Sequence, residues 1–431
     1  MQLKFPALTP WNCAQVGVAL LVLWPAVGAG ILVLLTLWLW EKQVRVLLQD
    51  PWLWGWLGLG IWLLVSSSWA AFPNEAILGA ANFLPFWLLF AAISGLVNRP
   101  EQWQRLAWLV VSSALPVVIF ALLGLAGLET PDWWSSILGW GLVPGGEPAG
   151  RLSGVFIYAN FLGMYLLIVG NLAIALLVAG CRGHSSLARG KIGFLGVTVG
   201  FIGLGILLTD SRNAWGIAFL TGLAWIVYLG WRWLALASLS AAAAVAWASF
   251  GPMAGQGIIR QIIPRFLWGR LADHDFPERA DATLRVNLWD FALTKIQERP
   301  LQGWGLRNFT PLYLEKTDVW MGHPHNLYLM LAMESGLIAV MVFIALIGIA
   351  LFKAMRRWRV WQEQNPQTGA IILGYLLAFA SCLLFNLLDV TIFDLRVNTL
   401  TWIVFGVLLS VGRAPLIPEI QPADEGSYVH Q

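Results

Sequence analysis

Residues 153–180 have the sequence SGVFIYANFLGMYLLIVGNLAIALLVAG, which contains no charged side chain. A helix of about 20 apolar residues is long enough to cross the hydrocarbon core of a bilayer. This segment is therefore predicted to span a membrane. Similar runs recur along the whole chain, and together they decide the fold class.

The composition agrees with a membrane protein. Hydrophobic residues make up 58% of the 431 residues and charged residues only 11%, whereas a soluble domain has about 25% charged residues. Further apolar runs lie at 13–40, 52–72, 76–97, 106–128, 192–209, 213–230, 233–250, 324–352, 368–389 and 393–412. Pro25 and Gly28 near the middle of the first run predict two short helices there. The expected fold is all-α, a polytopic helical membrane protein with about 12 transmembrane helices, or 11 if the first run is one helix.

The distribution of charge predicts the orientation of the chain. Lysine and arginine fall in alternate connections between the runs, which should be cytoplasmic by the positive-inside rule. These residues are Lys42, Arg45, Arg99, Arg105, Arg182, Arg189, Lys191, Arg232, Lys353, Arg356, Arg357, Arg359 and Arg413. A multi-pass protein of the inner (plasma) membrane with both termini cytoplasmic follows. The basic residues form no patch of the kind that binds nucleic acid, so no nucleic-acid partner is expected.

Four regions follow from this topology. They are an N-terminal transmembrane bundle at 1–250, a large outer (periplasmic) loop with amphipathic helices at 251–323, C-terminal transmembrane helices at 324–412 and a cytoplasmic polar tail at 413–431. In the loop, apolar residues from Ile258 to Leu267 alternate with arginines, including Arg270. Such a segment is expected in the interface beside lipid headgroups. Asp281 is expected to cap a second helix over about 282–298.

A histidine pair stands where the loop meets the next apolar run, in His323-Pro324-His325-Asn326-Leu327-Tyr328. The ordinary pKa of histidine, roughly 6.5, allows an imidazole to accept a proton near neutral pH. A histidine at a membrane boundary is also often a hydrogen-bonded structural residue. Because proline fixes the backbone between the two rings, the sequence favours a catalytic role for His325 and, less strongly, a role for His323.

Two arginines on the outer side are candidates for binding a phosphate group. Arg212 lies in Asp210-Ser211-Arg212-Asn213, and Arg285 lies in the loop. A guanidinium donates paired hydrogen bonds to phosphate oxygens and stays charged. The alternatives are that Arg212 extends toward lipid headgroups and that Arg285 lies on a solvated helix face. The predicted outer position of Arg212 argues against the first alternative, because arginines without a functional role are more frequent on the cytoplasmic side.

Other ionisable residues near the outer side carry weaker predictions. Glu334 lies about two turns after His325, so it is expected to face the same cavity or to hydrogen-bond a neighbouring helix. Asp389, Asp394 and Arg396 lie at the last outer turn and are expected either to serve function or to pair with one another.

These motifs, in their order and spacing, resemble the O-antigen ligase and O-antigen polymerase-like superfamily of bacterial membrane glycosyltransferases. The resemblance covers most of the chain. It is strongest from Ser211-Arg212 through Arg285 and Gly303-Trp304-Gly305 to His325-Asn326-Leu327-Tyr328 and Glu334-Ser335-Gly336-Leu337. The segment Asp210-Ser211-Arg212-Asn213-Ala214-Trp215-Gly216 is most similar to a cyanobacterial branch named for putative inorganic-carbon (bicarbonate) transport.

The resemblance implies an enzyme that transfers a glycan from an undecaprenyl-diphosphate carrier to an acceptor hydroxyl, with inversion and with neither metal nor cofactor. The family's catalytic histidine corresponds to His325, and its two essential arginines correspond to Arg212 and Arg285, which would also bind the diphosphate. Further substrate-binding candidates are His323, Asn326 and Glu334. The implied partners are a lipid-linked glycan donor, a saccharide or lipid-linked acceptor, and membrane lipids.

Two alternatives remain open at this stage. Outer arginines would also bind an anion in transit, so a bicarbonate or anion transporter, or an accessory to inorganic-carbon uptake, is the competing function. A transporter is expected to show internal repeats and polar groups accessible from both sides, whereas the candidate residues here gather on one side and no clear repeat is visible. A purely structural role in a cell-envelope complex is the third possibility.

Overall fold

The computed structural model describes residues 9–47, 49–182, 188–272 and 281–414. All regular elements in these residues are helical, which confirms the predicted all-α class. The predicted polar tail at 413–431 lies outside the described residues except for its first two positions.

The first eight helices precede the long apolar run at 153–180. They are α1 (Pro10–Leu20), α2 (Pro25–Leu47), α3 (Pro51–Ser66), α4 (Pro73–Ala80), α5 (Leu84–Leu96), α6 (Pro100–Ser112), α7 (Ala114–Leu125) and α8 (Asp132–Leu138). Proline is the first residue of α1, α3, α4 and α6. The N–H groups of the first helical turn have no partner within the helix, so a residue without an N–H is tolerated there.

Twelve helices follow. They are α9 (Ala159–Cys181), α10 (Ala188–Leu208), α11 (Arg212–Tyr228), α12 (Arg232–Phe250), α13 (Met253–Ile262), α14 (Arg265–Leu271), α15 (Arg285–Glu298), α16 (Phe309–Thr317), α17 (Leu327–Ser335), α18 (Leu337–Gln364), α19 (Pro366–Phe385) and α20 (Leu395–Arg413). Four of these helices have an N-cap side chain that accepts backbone N–H groups of the first turn. The caps are Ser211 for α11, Asn326 for α17, Asn365 for α19 and Asp394 for α20.

Nine segments in the described part of the chain are long and apolar enough to span a membrane. They are Pro25–Lys42, Pro73–Leu96, Pro100–Leu125, Ala159–Cys181, Arg189–Leu208, Arg232–Phe250, Leu337–Gln364, Pro366–Phe385 and Leu395–Arg413. Three expected spans are shorter: α1 has 11 residues, α3 has 16 and α11 has 17. The expected count of twelve is therefore not confirmed.

The first apolar run is divided as predicted. α1 ends at Leu20 and α2 begins at Pro25. A Cβ atom at Gly28 would lie 2.5 Å from the backbone of Leu21, so only glycine allows the two helices to approach this closely. Pro25 and Gly28 thus produce a helical hairpin.

The centre of the molecule is formed by α9, α19 and α20, most of whose residues are buried. A Cβ atom at Gly374 of α19 would lie 2.4 Å from the Cβ of Ala175 in α9, which brings these two helices into direct backbone contact. Against this centre, α3, α5 and α20 bring together the rings of Trp56, Phe90 and Phe405 with centroids 5.0–5.9 Å apart. This rigid core carries the turns that hold the candidate site.

The connection from 251 to 323 contains α13 to α16, and two details differ from expectation. Asp281 belongs to a 3-10 turn (Asp281–Thr283), and the following helix begins at Arg285 rather than at 282. Arg270 is buried rather than directed at lipid headgroups, because its guanidinium pairs with Asp210 at 2.9 Å. The amphipathic pattern could not reveal this acidic partner, which lies 60 residues earlier in the chain.

The apolar run at 324–352 is not one helix. α17 ends at Ser335, and Gly336 separates it from α18 with a φ of +86°. A Cβ atom at Gly336 would lie 1.9 Å from the carbonyl oxygen of Leu301, and the Leu337 N–H donates to Pro300. The 299–308 segment therefore packs directly against this break, and only α18 qualifies as a span.

Candidate functional site

His325 lies in a turn that is fixed on both sides. Its φ of +53° is a left-handed conformation, which costs a non-glycine residue roughly 1–2 kcal/mol. The His325 N–H donates to Nδ1 of His323 at 3.1 Å, and Trp289 Nε1 donates to the Pro324 carbonyl at 2.8 Å. The Leu327 N–H then donates to the Asn386 carbonyl at 2.9 Å. The histidine turn is thus attached to α15 and to the turn after α19.

Asp389 is the residue that the histidine pair meets. Its carboxylate is buried, and Oδ1 lies 3.1 Å from Nδ1 of His325 and 4.0 Å from Nε2 of His323. The Val390 N–H donates to the same oxygen at 2.9 Å, and Asn160 Nδ2 donates to Oδ2 at 2.6 Å. Every oxygen of this buried carboxylate therefore has a polar partner, as a buried charge requires.

The charge states follow from these contacts. Burial raises the pKa of Asp389. The opposing effects are larger in sum: the hydrogen bond with His325, the charges of both histidines and the Val390 N–H all lower it, so the pKa lies below the ordinary carboxyl value. Burial lowers the pKa of His323 to about 4. The charge of Asp389 opposes this shift, and the charges of His325 and Arg285 add to it. At neutral pH, Asp389 is a carboxylate and His323 is neutral.

An ionised Asp389 also decides the tautomer of His325. A carboxylate can only accept hydrogen bonds, so the proton lies on Nδ1 of His325. Nε2 is then the ring nitrogen with the free lone pair, which is the arrangement of a general base oriented by a carboxylate. Neither Asp389 nor its partner Asn160 was among the sequence-predicted site residues, although Asp389 was noted at the last outer turn.

A hydrogen-bonded chain connects this pair with the loop that contains Arg212. Arg151 donates from Nη2 to Asn160 Oδ1 at 2.8 Å and from Nε to the Thr209 carbonyl at 2.8 Å. Asn160 in turn donates to Asp389. The order Thr209, Arg151, Asn160, Asp389 and His325 therefore links two motifs that lie more than a hundred residues apart. No sequence signal singled out Arg151 or Asn160.

Arg212 and Arg285 occupy equivalent positions in their helices. Arg212 is the first residue of α11 and Arg285 the first residue of α15. The positive end of the helix dipole disfavours a cation there by roughly 0.3–1 kcal/mol, whereas it favours an anion. A helix N-terminus together with a guanidinium is well suited to a phosphate group.

The charges of these arginines act on the pKa values of two residues near the candidate site. Burial raises the pKa of Asp210, and the charges of Arg270, Arg151 and Arg212 oppose that rise. The charge of Arg285 helps to lower the pKa of His323. Arg285 therefore lies near the histidine pair, and Arg212 lies at the Asp210 end of the hydrogen-bonded chain.

A cavity of about 710 Å³ opens beside the histidine pair, within the usual size range of ligand sites. Its charged and imidazole side chains are those of Glu75, Arg307, His323, His325 and Asp389, and its aromatic lining is Phe72, Tyr158, Phe161, Trp320 and Phe393. Arg212 and Arg285 are not among the described residues that line it.

Two sequence-predicted binding residues have structural partners. The side-chain oxygen of Asn326 accepts the Leu329 N–H at 2.9 Å and so caps α17. Glu334 is 1% exposed and accepts the Phe309 N–H at 3.1 Å. It is not among the described residues that line the cavity, and Phe309 is the first residue of α16. Of the two expected alternatives, the structure therefore agrees with a hydrogen bond to a neighbouring helix.

Asp394 and Arg396 pair with each other at 3.2 Å, as anticipated, but Asp389 pairs with the histidines instead. One potential metal-ligand atom from each of His323, His325 and Asp389 lies within 4.8 Å of the others. These three side chains could hold a divalent cation, since imidazole nitrogen and carboxylate oxygen are common ligands of zinc.

Comparison with known proteins gives one family. The O-antigen ligase family matches residues 197–344 of this chain. The match supports the superfamily resemblance and indicates glycosyl transfer on a lipid-linked substrate. It also implies a saccharide partner and agrees with a location in a membrane. No curated protein matches the chain.

The segment matched to O-antigen ligase contains every sequence-predicted site residue, from Arg212 to Glu334. The residues that support His325 lie outside it: Arg151 and Asn160 precede the segment, and Asp389 follows it. The site is therefore assembled from the matched segment and from helices on both sides of it. Inorganic-carbon transport finds no support in this comparison.

Proposed function

We propose that this protein transfers a glycan from an undecaprenyl-diphosphate carrier to an acceptor hydroxyl, at the periplasmic face of the inner membrane. The observation that carries the proposal is the contact of His325 Nδ1 with Asp389 Oδ1 beside a ligand-sized cavity. The family match supplies the reaction class, since O-antigen ligase is a transferase acting on a lipid-linked substrate.

His325 is the general base in this reaction. Its Nε2 takes the proton of the acceptor hydroxyl as the oxygen attacks the anomeric carbon of the donor sugar. The new glycosidic bond forms on the face opposite the leaving group, so the configuration inverts. The bond between the anomeric carbon and the diphosphate oxygen breaks, and its electron pair leaves with the carrier diphosphate. The imidazolium, stabilised by Asp389, then returns the proton to water.

Arg212 and Arg285 stabilise the leaving diphosphate. Negative charge grows on the diphosphate oxygen as the glycosidic bond breaks, and two guanidinium groups at helix N-termini offer fixed positive charge to it. With this charge supplied by arginine, the reaction needs no metal ion. Neutral His323 holds the backbone N–H of His325 and keeps the catalytic turn in place.

The test is transfer by purified protein in lipid nanodiscs, from a synthetic undecaprenyl-diphosphate sugar to a mixture of saccharide acceptors. We expect Arg212→Ala and Arg285→Ala to lower kcat by about 10²–10³-fold each, the loss typical of one electrostatic donor. Arg356→Ala, an exposed arginine of α18, is the matched control and should retain wild-type transfer.

Two outcomes would contradict the proposal. Unchanged transfer in both arginine variants would remove their role, and anion uptake by proteoliposomes without any transfer would favour transport. EDTA should leave transfer intact. Loss of transfer with EDTA and its recovery with Zn²⁺ would instead assign a metal to His323, His325 and Asp389.

A further inference from the structure

Backbone strain points to a residue that the proposed mechanism does not use. Four non-glycine residues in the described ranges have positive φ: Asp210, Arg307, Asp318 and His325. Asp318 ends α16, where a left-handed residue is a common helix cap. Asp210 and His325 belong to the candidate site, and Arg307 lines the same cavity as His325. Strained backbone of this kind concentrates at functional sites.

The surroundings of Arg307 hold it in this conformation. On one side, the Gly305 N–H donates to the Glu334 carbonyl at 2.8 Å. On the other, the Phe309 N–H donates to the Glu334 carboxylate at 3.1 Å. A Cβ atom at Gly79 of α4 would lie 2.5 Å from Leu306, so α4 packs directly on this segment. Glu334 therefore acts as a positioning residue for Arg307.

Arg307 pairs with Glu75 of α4 at the cavity. Nε of Arg307 lies 3.1 Å from Oε2 of Glu75, and the two side chains are 44% and 40% exposed. An ion pair this exposed contributes little to stability, so stability does not explain why a strained residue is kept here. Both groups line the cavity, and their charges cancel. Together they offer hydrogen-bond donors and acceptors without net charge.

We propose that Glu75 and Arg307 bind hydroxyl groups of an uncharged saccharide acceptor in this cavity, an inference that rests on the proposed glycan transfer. A carboxylate and a guanidinium side by side can accept from one sugar hydroxyl and donate to the next. Tyr158 and Trp320 add aromatic surface in the same lining for the apolar face of a sugar ring.

The residues that line the cavity assign it to the acceptor rather than to the donor. His325, the base for the acceptor hydroxyl, lines the cavity, whereas Arg212 and Arg285 are absent from its described lining. The charge balance of Glu75 with Arg307 also disfavours a free anion, which would need a cation without an acidic partner.

The experiment is binding of purified protein in nanodiscs to an array of neutral and acidic oligosaccharides. Wild type is compared with Arg307→Gln, Glu75→Gln and the control Glu298→Gln, whose carboxylate pairs with Lys295 at 2.8 Å on the exposed side of α15. We expect wild type and Glu298→Gln to bind a set of neutral glycans. The two cavity variants should bind them about 10–100-fold more weakly, as expected for loss of a hydrogen bond to a charged group.

A charge-reversed double variant, Glu75→Arg with Arg307→Glu, separates binding from a structural role. If the pair only attached α4 to the 303–309 segment, the reversed pair would restore glycan binding, which would overturn the proposal. Three other results would also overturn it. One is equal binding by all single variants, and another is binding of acidic glycans only. The third is that wild type binds no neutral glycan at about 1 mM, the upper end of usual KM values.

The transfer reaction gives a second, separate readout. In the assay with the undecaprenyl-diphosphate sugar, Arg307→Gln should raise the KM for the acceptor about tenfold or more and leave the KM for the donor unchanged. A change confined to the donor KM would contradict the assignment. Glycan binding that depends on Glu75 and Arg307 in a protein without transfer activity would refute the proposed function while retaining the saccharide site.

Discussion

His325 and Asp389 meet through a single contact of 3.1 Å between Nδ1 and Oδ1, although 64 residues separate them in the chain. A carboxylate only accepts hydrogen bonds, so the proton lies on Nδ1 and Nε2 is the nitrogen proposed to act as the base. The histidine comes from the segment matched to O-antigen ligase, and the aspartate comes from the turn between α19 and α20. The proposed chemistry depends on this pairing.

Replacing Asp389 with asparagine tests the pairing directly. An amide can donate to Nδ1 and so favours the tautomer with the proton on Nε2, which cannot accept a proton. We expect Asp389→Asn to lower kcat by about 10²–10⁴-fold, the usual contribution of general base catalysis, while the KM for the donor stays the same. The measurement is steady-state transfer by protein in nanodiscs.

Asp394→Asn is the matched control for that variant. Asp394 pairs with Arg396 at 3.2 Å and lies five residues after Asp389, in the same turn. Its loss should lower stability, because Arg396 is buried, but should leave kcat per folded molecule unchanged. Equal loss of kcat in both variants would show that the turn, rather than the His325 contact, matters.

Asn160 tests whether the hydrogen-bonded chain orients Asp389. Asn160→Ala removes the 2.6 Å contact with Asp389 and the 2.8 Å contact with Arg151, and we expect a loss of about 1–3 kcal/mol in stability with a clear fall in kcat. Asn160→Asp should place a second carboxylate beside Asp389 and raise its pKa. The acid limb of the pH–rate profile should then move to higher pH.

Asn171→Ala provides the comparison on the same helix. Asn171 accepts from Trp225 at 3.1 Å in the buried core of α9, away from the cavity lining. We expect a similar loss of thermal stability and an unchanged pH–rate profile. An unshifted profile in Asn160→Asp as well would contradict the orienting role of Asn160.

His323 should make the folded protein sensitive to acid. Its pKa falls from the ordinary 6.5 to about 4 in the native state, so the unfolded chain binds a proton that the native protein resists. The stability from neutral His323 is fully present above pH 6.5 and is lost as the pH falls from 6.5 to about 4, by up to roughly 3 kcal/mol. Thermal unfolding in nanodiscs across this window measures the loss.

His323→Asn keeps a hydrogen-bond acceptor for the His325 N–H but cannot be protonated. Its Tm should therefore change less than that of wild type between pH 6.5 and 4. Asp389 is still ionised in this window, because its pKa lies below the ordinary carboxyl value, and its own loss of stability begins only at lower pH. Identical pH dependence in wild type and variant would contradict the lowered pKa of His323.

Gly336 should tolerate no side chain. It combines a φ of +86° with a Cβ position 1.9 Å from the Leu301 carbonyl oxygen, so Gly336→Ala should destabilise the protein by several kcal/mol, roughly the sum of strain and steric displacement. Gly348→Ala on α18 has open space around its Cβ and should be neutral or stabilising by up to about 1 kcal/mol. Melting temperatures of the two variants should therefore move apart, and equal values would contradict the close approach.

The sequence predicts the helical class and the hairpin at Pro25 because these depend on local hydropathy and backbone chemistry. It also predicts functional roles for His325, Arg212 and Arg285, since charged or titratable residues at the ends of apolar runs are conspicuous. The pairing of His325 with Asp389 is not predictable in this way. Two acidic residues, Asp389 and Asp394, occupy the turn between α19 and α20, and only packing of α17 against the end of α19 decides which one reaches the histidine.

The sequence does not predict the contacts of three arginines, Arg151, Arg270 and Arg307, and the reason differs among them. Arg151 lies in a segment with the pattern of a loop, and its buried partner Asn160 follows nine residues later in α9. Arg270 lies in a segment with the pattern of an amphipathic helix, and its partner Asp210 lies 60 residues earlier in the chain. Arg307 is distinguished by its left-handed backbone and by its place in the cavity lining. Residue type and spacing carry no information about that conformation.

The most direct test of the central claim is glycan transfer from a synthetic undecaprenyl-diphosphate sugar by purified wild type and His325→Ala in nanodiscs. Both proteins should melt at comparable temperatures. We predict measurable transfer by wild type and a fall of about 10²–10⁴-fold in kcat for the variant. Transfer by folded His325→Ala at the wild-type rate would contradict the claim that His325, oriented by Asp389, is the base.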